Sequence, residues 1–169
     1  MRKRSTTFLL ALSLGLTAMT AAAGDGEGQK HRAVDFIGVF HPVFAGGGMD
    51  PERCPDPSHP LLLTFTGQAY TTLGRAQFEQ SHCEAADHTS FRRGLQTIMF
   101  ENGEKLFGTY RGELLTTPTT DVDRRLMVDG IYHNQGGTGS LKDAHGRGIS
   151  AGVVNTSTGG AEVTVSGTL

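Results

Sequence analysis

The segment that most constrains the fold is a glycine-rich stretch late in the chain, residues 136–148, with the sequence GGTGSLKDAHGRG. Its glycines permit backbone angles and close approaches that a Cβ atom would block. Between them there is room for one helical turn, on which Leu141 and Ala144 lie three residues apart and share a face. We therefore expect a strand that enters a tight crossing, a one-turn helical plug near residues 140–145 over a barrel end, and a strand that leaves from Gly146. The residues expected to build this plug are Gly136, Gly137, Gly139, Leu141, Ala144 and Gly146.

The chain before and after this stretch is typical of short antiparallel strands. Residues 61–70 alternate apolar and polar side chains with a period of two, as a half-buried strand does. Similar runs predict an all-β fold of eight strands, about the number that closes an antiparallel barrel with room for side chains or one small ligand. An open sandwich is the alternative. The other predicted strands are 32–40, 75–81, 91–100, 105–115, 124–133, 146–154 and 161–169.

Two segments without periodicity are predicted to be loops. Residues 41–60 are rich in proline and contain three consecutive glycines, and loops of this length are often functional or disordered. Residues 81–90 are polar. His82 and His88 lie in this second segment, where we expect them to be surface histidines.

The Asn-Gly pair at 102–103 lies between two alternating runs and predicts a hairpin with a type I′ turn. That turn fixes the register, so Leu95 would lie opposite Tyr110 and Met99 opposite Leu106. We expect these four side chains to point into the barrel. The other face of the hairpin is nearly as apolar, so the reverse orientation is the alternative.

The first 23 residues have the pattern of a secretory signal peptide. A basic start at residues 2–4 precedes an apolar run over 8–19 and three alanines that end at Ala23, the expected cleavage site. The apolar run is too short for a convincing membrane span. We therefore expect a secreted or periplasmic protein. The predicted organisation is a signal peptide at 1–23, a flexible tail at 24–30 and a single β-barrel domain at 31–169.

Charge argues against nucleic acid and anionic membranes as partners. Without the leader, 12 basic residues remain against 17 acidic ones, a net charge of −5, and no basic run survives.

Cys54 and Cys83 are the only cysteines, and an oxidising compartment favours a disulfide between them.

No histidine or cysteine pair shows the spacing of a zinc site, so we expect no metal. A nucleophile elbow and a phosphate-binding loop are both missing, and no cofactor is expected.

Polar groups on the predicted strands are the remaining candidates for a site. A phenol or an imidazole on an inner wall could orient a ligand or transfer a proton, although such groups also occur on outer, wet faces. Arg93 and Asp129 are further polar groups on the strands. The side chains expected to line a ligand pocket are Leu95, Met99, Leu106, Tyr110, Tyr132 and His133.

Three places in the chain carry a resemblance to a known family: Leu-Gly-Arg at 73–75, Asn-Gly at 102–103 with Leu106 and Gly112 beyond it, and the stretch 136–148. They resemble the allene oxide cyclase and dirigent barrels, and small secreted bacterial proteins similar to them. The resemblance implies an eight-stranded antiparallel barrel related to the lipocalin-type calycins. Plant members cyclise an unstable fatty-acid epoxide or steer the coupling of phenoxy radicals.

The matched positions are turn and plug residues, so the resemblance implies a fold and assigns no catalytic residue. Where the family motif usually has an arginine and an aromatic residue, this chain has Ser140 and Leu141. The expected function is that of a secreted barrel that binds a small apolar or aromatic ligand. The alternatives are a cyclase or isomerase of the allene oxide cyclase type, and a structural module that forms homo-oligomers.

Overall fold

The structure, a computed structural model, describes residues 33–116, 124–155 and 157–169. The predicted signal peptide at 1–23 and the predicted tail at 24–30 lie outside the described residues. Within the described ranges, no helix has the length and apolar character needed to cross a membrane.

Eight antiparallel strands form a closed barrel in which each strand pairs with its neighbours in sequence and the last pairs with the first. A 3₁₀ turn at Gly139–Leu141 lies between the sixth and seventh strands. The prediction of an all-β, eight-stranded antiparallel barrel with a one-turn plug is confirmed. The strands are β1 Asp35–Met49, β2 Leu61–Thr71, β3 Gly74–Glu84, β4 Ser90–Phe100, β5 Lys105–Thr116, β6 Arg124–Gly137, β7 His145–Asn155 and β8 Gly160–Thr168.

One half of the barrel interior, at the end that carries the 3₁₀ turn, is filled by apolar side chains. Successive residues of a strand point to opposite faces, so Phe36 and Phe40 of β1 point inward while Ile37 between them is 47% exposed. The rings of Phe40 and Phe78 meet edge to face, with centroids 5.2 Å apart. Burial of each such side chain stabilises the fold by about 1.5–3 kcal/mol. The main buried cluster is Phe36, Phe40, Ala69, Ala76, Phe78, Ile98, Phe100, Leu106, Tyr132 and Val165.

The plug closes this filled half. Leu141 and Ala144, partly buried, pack against the cluster. Gly136 has φ +104°, which favours glycine, whereas Gly137 is constrained by space, because a Cβ there would collide with the carbonyl oxygen of Lys105.

A carboxylate holds the plug turn from the β4–β5 hairpin. Glu104 accepts hydrogen bonds from the backbone N–H of Ser140 and from its hydroxyl, at 2.5 and 2.9 Å. These bonds, with one from Asn102, lower the pKa of Glu104. The hairpin and the plug therefore form one connected cap.

Two segments predicted to be loops are partly strand. β1 continues to Met49 through the three glycines, which pair with residues 62–64 of β2. β3 continues to Glu84, which pairs with Leu61 on one side and Phe91 on the other. The polarity of residues 82–84 suggested a loop, yet His82 and Glu84 point into the barrel and hydrogen-bond each other.

The β4–β5 hairpin has a three-residue loop, Glu101–Gly103, instead of the predicted two-residue turn. The N–H of Phe100 donates to the carbonyl of Glu104 and the N–H of Gly103 to the carbonyl of Phe100, both at 2.9 Å. Gly103 has φ +83°, while Asn102 is not in the left-handed region. This is a type I turn followed by a glycine bulge, which Asn-Gly also fits.

The longer loop shifts the register by one residue. Ile98 pairs with Leu106, and Leu95 pairs with Thr109, so the predicted pairs Leu95–Tyr110 and Met99–Leu106 are wrong. Ile98 and Leu106 are each 1% exposed. Leu95 is 49% exposed and Met99 lies on the same outer face, so the prediction that these two point inward is also wrong.

A β-bulge at Arg93 changes which residues of β4 face inward. Arg93 has φ +54°, and β4 has one more residue than either neighbouring strand at this level. Phe91 and Ile98 are therefore both buried although they are seven residues apart. The bulge brings the Phe91 ring into the half of the barrel opposite the plug.

The predicted disulfide between Cys54 and Cys83 is confirmed. It ties the segment between β1 and β2 to the end of β3. The bond closes a loop with a sequence separation of 29 residues. Chain entropy gives a stabilisation of about 3.5 kcal/mol for a loop of this size.

Candidate functional site

A cavity of about 550 Å³ occupies the half of the barrel opposite the plug. It lies between the β3–β4 connection and the β7–β8 turn, and its walls come from the parts of the strands farthest from the 3₁₀ turn. Most of its lining is apolar. The large apolar side chains around it are Phe44, Leu63, Phe65, Phe91, Leu114 and Val163.

Four polar side chains form a continuous hydrogen-bonded chain along one wall of this cavity. The Tyr110 hydroxyl lies 3.0 Å from Nδ1 of His82, and Nε2 of His82 lies 3.0 Å from Oε2 of Glu84. Oε1 of Glu84 lies 2.5 Å from Nδ1 of His88. His82 and Glu84 are 7% and 5% exposed, whereas the His88 side chain is 49% exposed. The relay, as we call Tyr110–His82–Glu84–His88, runs from the barrel interior to solvent.

The strand pattern explains how these groups meet. His82 and Glu84 are two residues apart on β3 and so share its inner face. Tyr110 lies on β5, two strands away, and its ring lies over Gly94 of the intervening β4. A Cβ at Gly94 would come within 2.6 Å of that ring. Glycine at this position lets the phenol reach His82.

Aromatic rings fix the orientation of the His82 imidazole. It stacks on Phe91 with centroids 4.8 Å apart and planes at 24°. The centroid of the Phe65 ring lies 5.2 Å from that of the imidazole, and the Tyr110 ring meets the imidazole edge to face. The His82 nitrogens are therefore aimed along the relay and held there by packing.

Glu84 is the charged member of the relay. Burial raises the pKa of its carboxyl, but the hydrogen bonds from His82 and His88 outweigh burial, so that the pKa lies below its ordinary value. Glu84 is therefore ionised at neutral pH and can only accept hydrogen bonds. His82 donates to it from Nε2, and His88 donates from Nδ1.

Tyr110 is the uncharged end of the relay. Burial raises the pKa of its phenol well above the ordinary range. Arg53 opposes this rise and Glu84 adds to it. The hydroxyl thus keeps its proton at neutral pH.

The rim of the cavity is held by backbone and guanidinium contacts around His88. This residue has φ +57°, an uncommon conformation for a side chain with a Cβ, and its N–H donates to the carbonyl of Ala85 at 2.9 Å. Nη1 of Arg125 donates to the carbonyl of His88 at 2.9 Å. β6 thereby supports the connection between β3 and β4.

The order hydroxyl, imidazole, carboxylate is the order found in catalytic triads, where the imidazole takes a proton from the hydroxyl. Here the hydroxyl is a phenol in an apolar wall. The arrangement can orient a ligand through one polar group and can pass a proton between the cavity and solvent. Among the described residues, no three His, Cys, Asp or Glu side chains are placed to hold a metal ion.

The structure places the predicted pocket residues in three different regions. Tyr110 lines the cavity. Leu106 and Tyr132 lie in the filled half, where burial raises the pKa of Tyr132 to about 12. His133 is exposed and shares an outer groove with Leu95, and Met99 lines a second outer groove. Leu95 and Met99 lie on the outside of the barrel because the register of the β4–β5 hairpin differs by one residue from the predicted one. His133 lies outside because it follows the inward-facing Tyr132 on β6.

Sequence reasoning missed Glu84 and treated His82 as a surface histidine. The alternation of β3, with Ala76 and Phe78 inward, continues through residues 80, 82 and 84. Following that period of two past Ser81 would have placed both side chains inside the barrel.

Comparison with family models, curated proteins and solved structures identifies no family for this chain. No family model matches it, and no curated protein or solved structure is significantly similar to it. The resemblance to allene oxide cyclase and dirigent barrels therefore stays a prediction, and the function must be inferred from the geometry of the cavity.

Proposed function

We propose that the protein binds a small apolar or aromatic molecule in the cavity opposite the plug. The observation that carries the proposal is a cavity of about 550 Å³ with apolar walls and one polar wall, the relay. Ligand sites typically have volumes of about 300–1,000 Å³, mostly apolar lining and a few polar groups that fix orientation.

Two features of the cavity favour tight binding. Removal of apolar ligand surface from water contributes about 25 cal/mol per Å². Phe65, Phe91 and Tyr110 already contact the His82 ring, so the wall needs little ordering when a ligand enters. Their edges and faces also suit an aromatic ligand.

A titration with the neutral dye N-phenyl-1-naphthylamine tests the proposal. We expect saturable binding of one dye per chain. Ala161→Phe, which fills the cavity mouth, should weaken binding at least about tenfold, as expected when a ligand and a side chain compete for one space. The matched control is Ala151→Phe on the outer face, which should bind like the wild type. Non-saturable binding, or equal loss in both variants, would contradict the proposal.

The relay favours a second function, that of an acid–base enzyme such as a cyclase or isomerase. A phenol with an imidazole and a carboxylate behind it can supply or remove a proton during such a reaction. Turnover of a reactive epoxide or phenoxy substrate, lost in Glu84→Gln while dye binding is kept, would establish this function. Dye binding without turnover favours the binding protein.

We place the protein in the periplasm or outside the cell. The disulfide between Cys54 and Cys83 supports this location, because such bonds persist in oxidising compartments. A structural module that forms homo-oligomers is the remaining alternative. It predicts self-association in sedimentation experiments together with no dye binding.

A further inference from the structure

We infer that the cavity selects small aromatic ligands that donate a hydrogen bond from an N–H or O–H group to the Tyr110 oxygen. Ligands of the same shape that offer only an acceptor, such as an ether or carbonyl oxygen, are discriminated against. The inference rests on the proposed function, since it concerns the same cavity.

The donor and acceptor of each hydrogen bond in the relay follow from the charge of Glu84. Its carboxylate is ionised, so neither oxygen can donate. Nε2 of His82, 3.0 Å away, must therefore carry a hydrogen and donate it to Oε2. When the His82 imidazole is neutral, this is its only ring hydrogen, and Nδ1 is then an acceptor.

The hydroxyl hydrogen of Tyr110 is then used in the hydrogen bond to His82. Its hydroxyl lies 3.0 Å from Nδ1 of His82 and donates to it. The phenol oxygen keeps its acceptor capacity, and among the described residues its one hydrogen-bond partner is His82. A ligand N–H or O–H at this position would fill the remaining acceptor site of the phenol oxygen.

The rim of the cavity at His88 also presents a hydrogen-bond acceptor. His88 donates from Nδ1 to Glu84, so a neutral His88 presents Nε2 as a second acceptor beside the cavity. Arg125, a cation that lines the cavity, directs Nη1 to the backbone carbonyls of Asp87 and His88. The relay therefore offers the cavity acceptors at both of its ends.

Three bicyclic probes of nearly equal size test whether the cavity prefers ligands that donate a hydrogen bond. Indole has an N–H donor, benzofuran has an oxygen in its place, and indene has neither. The chain contains no tryptophan, so indole fluorescence reports the ligand alone. We expect indole to displace N-phenyl-1-naphthylamine at concentrations at least about tenfold below those of benzofuran and indene, because a site built to accept a hydrogen bond rejects analogues without the donor.

Two tyrosine variants identify the acceptor. Tyr110→Phe keeps the ring over Gly94 and removes the oxygen, and should bring the three probes within about twofold of one another. Tyr132→Phe removes a hydroxyl in the filled half and should leave the preference for indole unchanged.

Equal displacement by all three probes would overturn the donor preference while leaving the proposed binding function intact. A preference for indole that survives in Tyr110→Phe would also overturn it. Failure of the dye and of every probe to bind would remove the proposed function and the inference together.

Discussion

The two halves of the barrel are built by the same strands yet have opposite interiors. Along the inner face of β3, Ala76 and Phe78 belong to the filled half, and His82 and Glu84 to the cavity half. Phe78 is 1% exposed and packs against the Phe40 ring, whereas Glu84, similarly enclosed, is stabilised by hydrogen bonds from two histidines. A single strand thus supplies packing at one end and hydrogen-bonding groups at the other. The packed core and the proposed ligand site thus lie at different ends of the same sheet.

The largest difference in stability is expected between two phenylalanine truncations, one in the filled half and one beside the cavity. Phe78→Ala should cost about 3–5 kcal/mol in unfolding free energy, because it removes a ring from a tightly packed cluster. Phe65→Ala, beside the cavity, should cost clearly less, since its ring is only partly buried. Urea denaturation of both variants measures the difference. Equal losses would show that the cavity half is packed as tightly as the plug half.

The plug should behave as part of the filled half. Leu141→Asp places a charge against the apolar cluster and should destabilise the protein by about 2–4 kcal/mol. Lys142→Ala, at the exposed neighbouring position, is the control and should change little. Thermal unfolding followed by circular dichroism compares the two. Equal melting temperatures would mean that the plug contributes nothing to the core.

The smallest effect is expected at Glu84 and depends on pH. Because its pKa is lowered on folding, Glu84 stabilises the protein above the ordinary value of 4.5, and this stabilisation is lost as pH falls through the lower folded value. Glu84→Gln should therefore cost about 1.5–3 kcal/mol at pH 7 and progressively less below pH 4.5. Glu79→Gln, exposed on the outer face of β3, is the control. A pH-independent cost would contradict an ionised Glu84 as the centre of the relay.

The sequence was sufficient for the plug and the strand count, because both depend on local residue patterns. It was sufficient for the disulfide because Cys54 and Cys83 are the only cysteines. It was misleading for the register, because Asn102-Gly103 fits two hairpin turns that differ by one residue. Nothing in the residue type of Arg93 marks a bulge, so the inward position of Phe91 could not be read from alternation. The relay was missed because polarity was taken to mean exposure, whereas His82 and Glu84 satisfy each other inside the barrel.

Closure of the barrel has a consequence for the order of folding. β1 pairs with β8, so that Asp35 lies opposite Thr168, and this pairing joins the strands that are farthest apart in the chain. When the chain emerges with its N-terminal end first, β2 follows β1 directly, but the other edge of β1 stays unpaired until β8 has emerged. Contacts between residues so distant in sequence slow folding and leave strand edges exposed in the meantime. A chain interrupted before residue 160 would lack β8. The edges of β1 and β7 that pair with β8 would then stay exposed, and the chain would be prone to aggregate.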